Sequence, residues 1–142
     1  MKDHQKLARI VVVKRRQHDV RRASLAQAAR ELQDAERQAA RLSAQVERLE
    51  RELASVGTTT GVELQHRLAI IECTREAIAR ANEVVEARRN VHAQHLATVS
   101  EVAREIAALE RVEERLLRER KRRLARYEQT QLDELALRER RS

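Results

Sequence analysis

The sequence predicts an all-α protein, a two-helix antiparallel coiled-coil hairpin whose second helix is the longer one. Three observations carry this prediction. The 142 residues include no Pro, Trp or Phe and only two Gly, while 37% are charged, a composition typical of coiled coils. A heptad repeat fills both halves of the chain, and a single short segment interrupts it. We therefore expect one elongated domain over residues 1–142.

The first helix is predicted over residues 3–56 by apolar residues in alternating steps of three and four. The apolar seam positions are Leu25, Ala28, Leu32, Ala35, Ala39, Leu42, Val46, Leu49, Leu53 and Val56. Continued toward the N-terminus, the same steps mix polar with apolar residues: Arg21, His18, Lys14, Val11 and Leu7. Polar layers in a seam cost stability but can fix its register.

The segment VGTTTG, residues 56–61, is predicted to break the helix because it holds both glycines. Its tip is expected at residues 57–60. Thr60 and Glu63 have the spacing of a capping box, in which the hydroxyl accepts a hydrogen bond from a free amide of the next helix. The second helix is therefore predicted over residues 61–140.

The second helix continues the heptad pattern with two polar layers. Its predicted seam is Leu64, Leu68, Ile71, Thr74, Ile78, Ala81, Val85, Arg88, His92, His95, Val99, Val102, Ile106 and Leu109. Between residues 112 and 117 we expect the phase to slip, with Leu117, Leu124 and Leu135 on a shifted line. No Cys or third His stands at ligand spacing from His92 and His95, so neither a metal site nor a cofactor is expected.

A short tip makes the two helices fold back on each other. If the tip is centred between Thr58 and Thr59, the numbers of facing residues sum to about 117, which pairs Leu53 with Leu64. Residue 1 then faces residue 116. Residues 117–142 would extend beyond helix 1 as uncovered helix, on the order of 40 Å long.

This register brings two basic stretches to the same end of the molecule. Residues 1–24 carry eight basic and two acidic side chains, and residues 111–142 carry eleven and seven. Residues 25–110 carry eleven basic and fourteen acidic side chains. A molecule polarised in this way would orient itself against an acidic partner.

The basic stretch KRRQHDVRRASL, residues 14–25, also allows a nucleic-acid interpretation, because a basic zipper runs from such a stretch into a leucine repeat. The stretch lacks the Asn that would read an adenine edge, and Tyr127 is the only aromatic residue available for stacking on a base. A solvated charged helix face remains the simplest alternative.

Other features of the sequence argue against a secreted protein, a membrane protein and an enzyme. The single cysteine, Cys73, indicates a reducing compartment and has no nucleophile constellation around it. The apolar run Ile10–Val13 is too short for a signal peptide or a membrane span, so we expect a soluble cytoplasmic protein without membrane insertion. With no glycine-rich phosphate loop and no nucleophile beside a base, we expect no enzyme.

The C-terminal part resembles a known family. The runs VVEARRNVHAQHL and LERVEERLLRERKRRLARYEQTQLDELALRERR are similar to the FliJ and YscO-like stalk proteins of flagellar and virulence type III export. The most specific pattern is Glu128-Gln129 followed by residues 132–136 and Arg138. A shorter N-terminal pattern is similar as well: Leu7, Ile10, Lys14, Arg16, Ala23, Leu25 and Leu32.

The resemblance implies a coiled coil similar to the γ stalk of a rotary ATPase, located in the cytoplasm at the membrane base of the export apparatus. Its paired termini would enter the hexameric export ATPase, and another surface would contact the cytoplasmic domain of the export gate. Export chaperones are further partners that the resemblance allows, whereas nucleic acid is not expected. The resemblance leaves open whether the export system is a flagellar or a virulence system.

Two sets of residues are candidates for these contacts. For the ATPase they are Arg9, Lys14, Arg16, Arg118, Arg122, Leu124, Arg126, Tyr127 and Leu135. For the gate they are Ile70, Ala77, Val84 and Val91, which recur every seven residues beside the seam. This second set is interpreted either as a broadened seam or as a docking ridge. An unrelated coiled-coil adaptor or scaffold is the main alternative function, and a nucleic-acid-binding coiled coil is a lesser one.

Overall fold

The structure is a computed structural model that describes residues 2–55, 57 and 60–141, apart from the side chain of Lys2. Two α-helices pack against each other as a hairpin, which confirms the predicted fold class. Helix α1 spans Lys2–Ser55 (54 residues), and helix α2 spans Gly61–Arg141 (81 residues). The predicted helix end at Val56 and the predicted tip residues Thr58 and Thr59 lie outside the described residues.

The start of α2 has the hydroxyl half of the predicted capping box. The Thr60 Oγ1 atom accepts a hydrogen bond from the backbone amide of Glu63 at 3.2 Å. The backbone amide of Leu64 donates to the Thr60 carbonyl at 3.0 Å. Thr60 therefore satisfies two amides of the first turn, which would otherwise lack a partner inside the helix.

The chain divides into two compact units, each built from a part of α1 packed on a part of α2. The terminal unit comprises Met1–Asp19 and Ser100–Ser142, and the tip unit comprises Val20–Val99. The terminal unit carries eighteen basic and twelve acidic side chains, a net charge of +6, whereas the tip unit carries twelve and eleven, a net charge of +1. The excess positive charge of the protein is thus almost entirely in the terminal unit.

The seam of the tip unit follows the heptad prediction along α1. Every predicted α1 position from Leu25 to Leu53 is buried or half-buried. On α2, Ile71, Thr74 and Val85 are buried. The prediction was wrong at the start of α2, because Leu64 and Leu68 are 41% and 48% exposed.

The seam of the terminal unit centres on Val11 and Val102, which are both buried. From Leu109 it continues through Glu113 and Leu116, both half-buried, in steps of four and three. Leu117 is instead 39% exposed. The seam therefore keeps its phase through Glu113 and Leu116, and the line predicted through Leu117, Leu124 and Leu135 lies on exposed residues.

Ion pairs between the helices correct the register. Residue numbers sum to 119 for Lys14–Glu105 in the terminal unit and for Glu31–Arg88 in the tip unit. They sum to 125 for Arg15–Glu110, Glu50–Arg75 and Glu36–Arg89. Both of these sums are larger than the sum of 117 that the sequence predicts for facing residues. Helix α1 therefore faces residues of α2 that lie further along the chain than predicted. Leu64 and Leu68 lie off the seam because the repeat reaches Ile71 from Arg67, which stands four residues earlier and is half-buried.

The core is thin. Its buried apolar residues are Val11, Ala28, Val46, Ile71, Val85 and Val102, and no described side chain is completely buried. The ion pairs between the helices are partly exposed, so solvent weakens each of them and they add little to stability. Stability therefore depends mainly on the burial of small side chains along the seam, and surfaces beside the seam remain open to partners.

Candidate partner-binding surfaces

The nine residues predicted for ATPase binding all lie in the terminal unit. We call them the terminal surface: Arg9, Lys14, Arg16, Arg118, Arg122, Leu124, Arg126, Tyr127 and Leu135. All except Lys14 are exposed. Because α1 and α2 pack against each other in this unit, basic residues from the two ends of the chain share one compact unit.

Lys14 differs from the other members. Its Nζ atom pairs with Glu105 Oε2 at 2.6 Å, and 32% of its side chain is exposed. The lysine charge is therefore compensated within the unit, and the pair links α1 to α2 along the edge of the seam. Lys14 contributes first to the hairpin, and it is less accessible to a partner than the sequence suggested.

Arg15 was not predicted as a functional residue, yet it makes a second link between the helices. Its Nη2 atom donates a hydrogen bond to Glu110 Oε1 at 2.8 Å. This bond and the charge of Glu110 raise the pKa of Arg15, and the charge of Glu113 adds to the effect. The stabilisation that accompanies a raised pKa is fully present when the pH is below the pKa of an unfolded arginine. It is lost only as the pH rises beyond that value, so it is constant around neutral pH.

The apolar members of the terminal surface are open to solvent. Leu124, Tyr127 and Leu135 are 53%, 62% and 54% exposed. Every described side chain from residue 121 onward is exposed. The Tyr127 hydroxyl accepts a hydrogen bond from Gln131 Nε2 at 2.9 Å, one turn further along the helix. This part of α2 therefore presents apolar side chains that α1 does not cover.

A cavity of about 590 Å³ lies where α1 begins. The His4 Nε2 atom is buried and has no hydrogen-bond partner. The sequence prediction placed the seam at Leu117, whereas a heptad count from Leu109 leads to Leu116, which lines this cavity. The lining residues are Asp3, His4, Leu116, Glu119, Arg120, Arg123, Leu124 and Tyr127.

The four residues predicted for the gate lie in the tip unit. We call Ile70, Ala77, Val84 and Val91 the outer ridge. Ile70 and Val84 are 38% and 49% exposed, whereas Ala77 and Val91 are half-buried. A broadened seam thus explains Ala77 and Val91, and only Ile70 and Val84 present apolar surface to a partner.

Val91 also borders a shallow groove of about 610 Å³ in the tip unit. Its α1 wall is formed largely by small or polar residues, so the two helices leave space between them. The lining residues are Val20, Ala23, Ser24, Gln27, Ala28, Arg30, Glu31, Val91 and His95. The sequence prediction recognised the ridge but not this opening, which depends on the side-chain sizes of two facing segments.

The described residues offer neither a membrane-spanning helix nor a cluster of metal ligands. No helical stretch there is long and apolar enough to cross a membrane. No group of three His, Cys, Asp or Glu side chains within residues 2–55 and 60–141 is arranged to hold a metal ion.

A helical hairpin with a basic terminal unit and uncovered apolar side chains is typical of a protein that acts by binding other proteins. A family model described as "Flagellar FliJ protein" matches residues 2–141. The chain belongs to the FliJ family and is a component of the flagellar type III export apparatus, which confirms the family resemblance. This family is one of structural export components and not of known enzymes. No curated protein and no solved structure matches the chain significantly.

Proposed function

We propose that this protein is the central stalk of a flagellar export ATPase and that it seats its terminal unit in the hexameric ring. The observation that supports the proposal is the composition of that unit. It combines a net charge of +6 with exposed apolar side chains on α2 that α1 leaves uncovered. A ring that encloses this helix would bury those side chains, each contributing about 1.5 to 3 kcal/mol when fully covered.

The two kinds of side chain have different roles in this proposal. Arginines on a surface act over about a Debye length and mainly accelerate encounter with an acidic partner. Apolar side chains act only after contact and mainly slow dissociation. In the proposed complex, Arg118, Arg122 and Arg126 thus guide the helix toward the ring, while Leu124, Tyr127 and Leu135 hold it there.

Deletion of residues 117–142 tests the seat in the ring. Most residues that pack α1 on α2 lie before this segment, so the shortened chain should stay helical by circular dichroism. We expect its binding to the purified export ATPase to fall below detection in surface plasmon resonance. A shortened chain that binds the ATPase like the full chain would overturn the assignment of this end.

We further propose that the tip unit contacts the cytoplasmic domain of the export gate through Ile70 and Val84, the exposed members of the outer ridge. Both side chains lie beside the seam and lose little packing when they are replaced. The protein would then act at the cytoplasmic side of the membrane without inserting into it, with one unit on the ATPase and the other on the gate. Export chaperones would bind surfaces that these two contacts leave free.

The gate contact is tested by the double variant Ile70→Asp with Val84→Asp. Because a buried charge opposes an apolar contact, we expect gate binding to be lost in a pull-down while the helical signal is retained. The matched control is Leu96→Asp, at a leucine of the same unit that is 50% exposed. Equal loss of binding in the control, or unchanged binding in the double variant, would remove the ridge from the proposal.

A further inference from the structure

The side of α2 that faces away from α1 in the terminal unit carries a row of arginines. The seam residues Val102, Leu109 and Leu116 share one heptad position, d, so positions c and f lie on the outer side of the helix. Between residues 104 and 125, arginine fills five of the seven c and f positions, and alanine fills the other two. We call the five exposed arginines the arginine stripe: Arg104, Arg111, Arg115, Arg118 and Arg122.

Solvation alone does not require a row of one charge. From residue 69 to residue 97 in the tip unit, the c and f positions of α2 hold six neutral residues and Glu76, Arg80 and Glu83. The outer side of α2 thus mixes both signs there, whereas every charged residue of the arginine stripe is positive. Three pairs of neighbours in the stripe stand three or four residues apart, and like charges at this spacing destabilise a helix. The fold by itself therefore does not favour this arrangement.

The nearby carboxylates do not neutralise the arginine stripe. Two glutamates beside it pair with basic residues of α1, and a third pairs with an arginine outside the stripe. These glutamates are Glu105, Glu110 and Glu119. Within the residues that the structure describes, Arg118 is the one member of the stripe with an ion pair, at 3.5 Å to Glu114. The other four guanidinium groups are therefore free to bind carboxylates of another molecule.

A recess of about 490 Å³ lies in the arginine stripe. Four members of the stripe line it together with Glu114 and Glu119. A guanidinium group can bind a carboxylate through two parallel N–H donors, which favours acidic side chains in this recess. The two glutamates can accept hydrogen bonds from basic side chains of the same partner, whereas they would repel a chain of phosphates. The recess therefore fits a protein surface that is mainly acidic.

We propose that the arginine stripe docks an acidic α-helix of a partner protein, which lies along the outer side of α2. The stripe advances in steps of seven, four, three and four residues, and a facing helix repeats its side chains in the same steps. Carboxylates with this spacing can meet the guanidinium groups over about 27 Å, the length of 18 helical residues. The phosphates of DNA do not have this repeat, and the stripe has no aromatic residue to stack on a base.

This docking goes beyond the proposed seat in the ring. The stripe begins at Arg104, where α1 still packs on the other side of α2 through the pair of Lys14 with Glu105. The apolar side chains that the ring is proposed to cover are not part of it. Arg118 and Arg122 belong both to the stripe and to the terminal surface, so the two kinds of binding need separate ligands in the test.

Fluorescence anisotropy of a labelled peptide mixed with the full chain, at low ionic strength, tests the docking. The probe is an alanine-rich helical peptide whose five glutamates recur in the steps of the arginine stripe. A control peptide has the same composition, with its glutamates distributed around the helix. We expect the patterned peptide to bind at least about tenfold more tightly than the control peptide, a difference of roughly 1.4 kcal/mol. Equal binding of the two peptides, or no binding of either, would overturn the proposal.

Two variants remove equal charge from different sides of α2. The stripe variant should bind the patterned peptide at least about tenfold more weakly, and it combines Arg111→Gln, Arg115→Gln, Arg118→Gln and Arg122→Gln. The control variant should bind within about threefold of the unchanged chain, and it combines Arg120→Gln, Arg123→Gln, Arg138→Gln and Arg141→Gln. Because Gln favours helices nearly as well as Arg, both should keep their circular dichroism. An equal loss in both variants would assign binding to total charge and overturn the stripe.

A DNA duplex and the export ATPase serve as the separate ligands. A random-sequence duplex as long as the peptide, if it binds more tightly than the patterned peptide, would assign the stripe to nucleic acid and overturn the acidic helix. A chain that binds the patterned peptide but never the ATPase would keep the stripe and overturn the stalk function. A chain that binds the ATPase without distinguishing the two peptides would overturn the stripe and leave the stalk function in place.

Discussion

Thr74 is the only polar residue among the buried side chains that the structure describes, and it is 8% exposed. Its hydroxyl donates to the Ile70 carbonyl at 2.8 Å, a carbonyl of its own helix. A hydroxyl satisfied within its own helix adds no contact across the seam. The sequence identified the position as part of the seam, but only the structure shows where the hydroxyl finds its acceptor.

Thr74→Val should therefore stabilise the hairpin. A methyl group replaces the hydroxyl at nearly the same volume, so we expect the free energy of unfolding to rise by about 0.5 to 1 kcal/mol. Thermal unfolding followed by circular dichroism measures the change. Thr130→Val is the control, because Thr130 makes the same type of bond, at 2.9 Å to the Arg126 carbonyl, but is exposed. A lower melting temperature for Thr74→Val would contradict this account.

The pair between Lys14 and Glu105 allows a second prediction at this scale. Either Lys14→Glu or Glu105→Lys should lower the melting temperature, because each brings like charges together across the seam. The exchanged double variant should recover most of the loss, with a coupling energy of about 0.5 to 1 kcal/mol. Arg118 and Glu114, 3.5 Å apart on one helix, provide a control pair with weaker expected coupling. Additive effects at residues 14 and 105 would show that the pair adds nothing.

At the scale of helices, the start of α2 depends on Thr60. Its hydroxyl caps the first turn through the amide of Glu63, and substituting such a residue by Ala typically costs about 1 kcal/mol. Thr60→Ala should lower the free energy of unfolding by that amount, whereas Thr60→Ser should change it little. Urea titration measures both. If the two variants unfold alike, the hydroxyl has no capping role.

The corrected register gives another prediction about the helices. In the tip unit, residues of α1 face α2 at residue numbers that sum to between 119 and 125, so we expect Leu53 to lie nearer Leu68 than Leu64. In a Cys73→Ser background, Leu53→Cys with Leu68→Cys should react with a short thiol crosslinker within one chain, at any protein concentration. The matched variant with Leu64→Cys in place of Leu68→Cys should react more slowly. The opposite order of rates would restore the predicted register.

At the scale of the whole molecule, the proposed seat in the ring predicts that the uneven charge of the two units sets the association rate. Reversal of Arg118, Arg122 and Arg126 to Glu changes the terminal unit from +6 to zero. We expect a lower association rate with the ATPase, a weaker dependence of that rate on salt and a nearly constant dissociation rate. The same reversal at Arg37, Arg41 and Arg48 in the tip unit is the control. Stopped-flow measurements or surface plasmon resonance separate the association rate from the dissociation rate. If the control reversal lowers the association rate as much as the reversal in the terminal unit, the total charge of the protein and not the terminal unit steers association.

The sequence by itself determined the two helices, the break between them and the α1 seam of the tip unit, because heptad spacing and helix-breaking residues act locally. The sequence also carried the family resemblance, of which the pattern in residues 128–138 was the most specific part, and the family match over residues 2–141 confirms it. The tertiary structure decided what depends on the partner helix. A shift of a few residues in register costs little energy when most layers are interchangeable Ala, Leu and Val, so the sequence could not fix the facing pairs. The link from Lys14 to Glu105 and the cavity at His4 follow from that register, which depends on contacts between residues far apart in the chain.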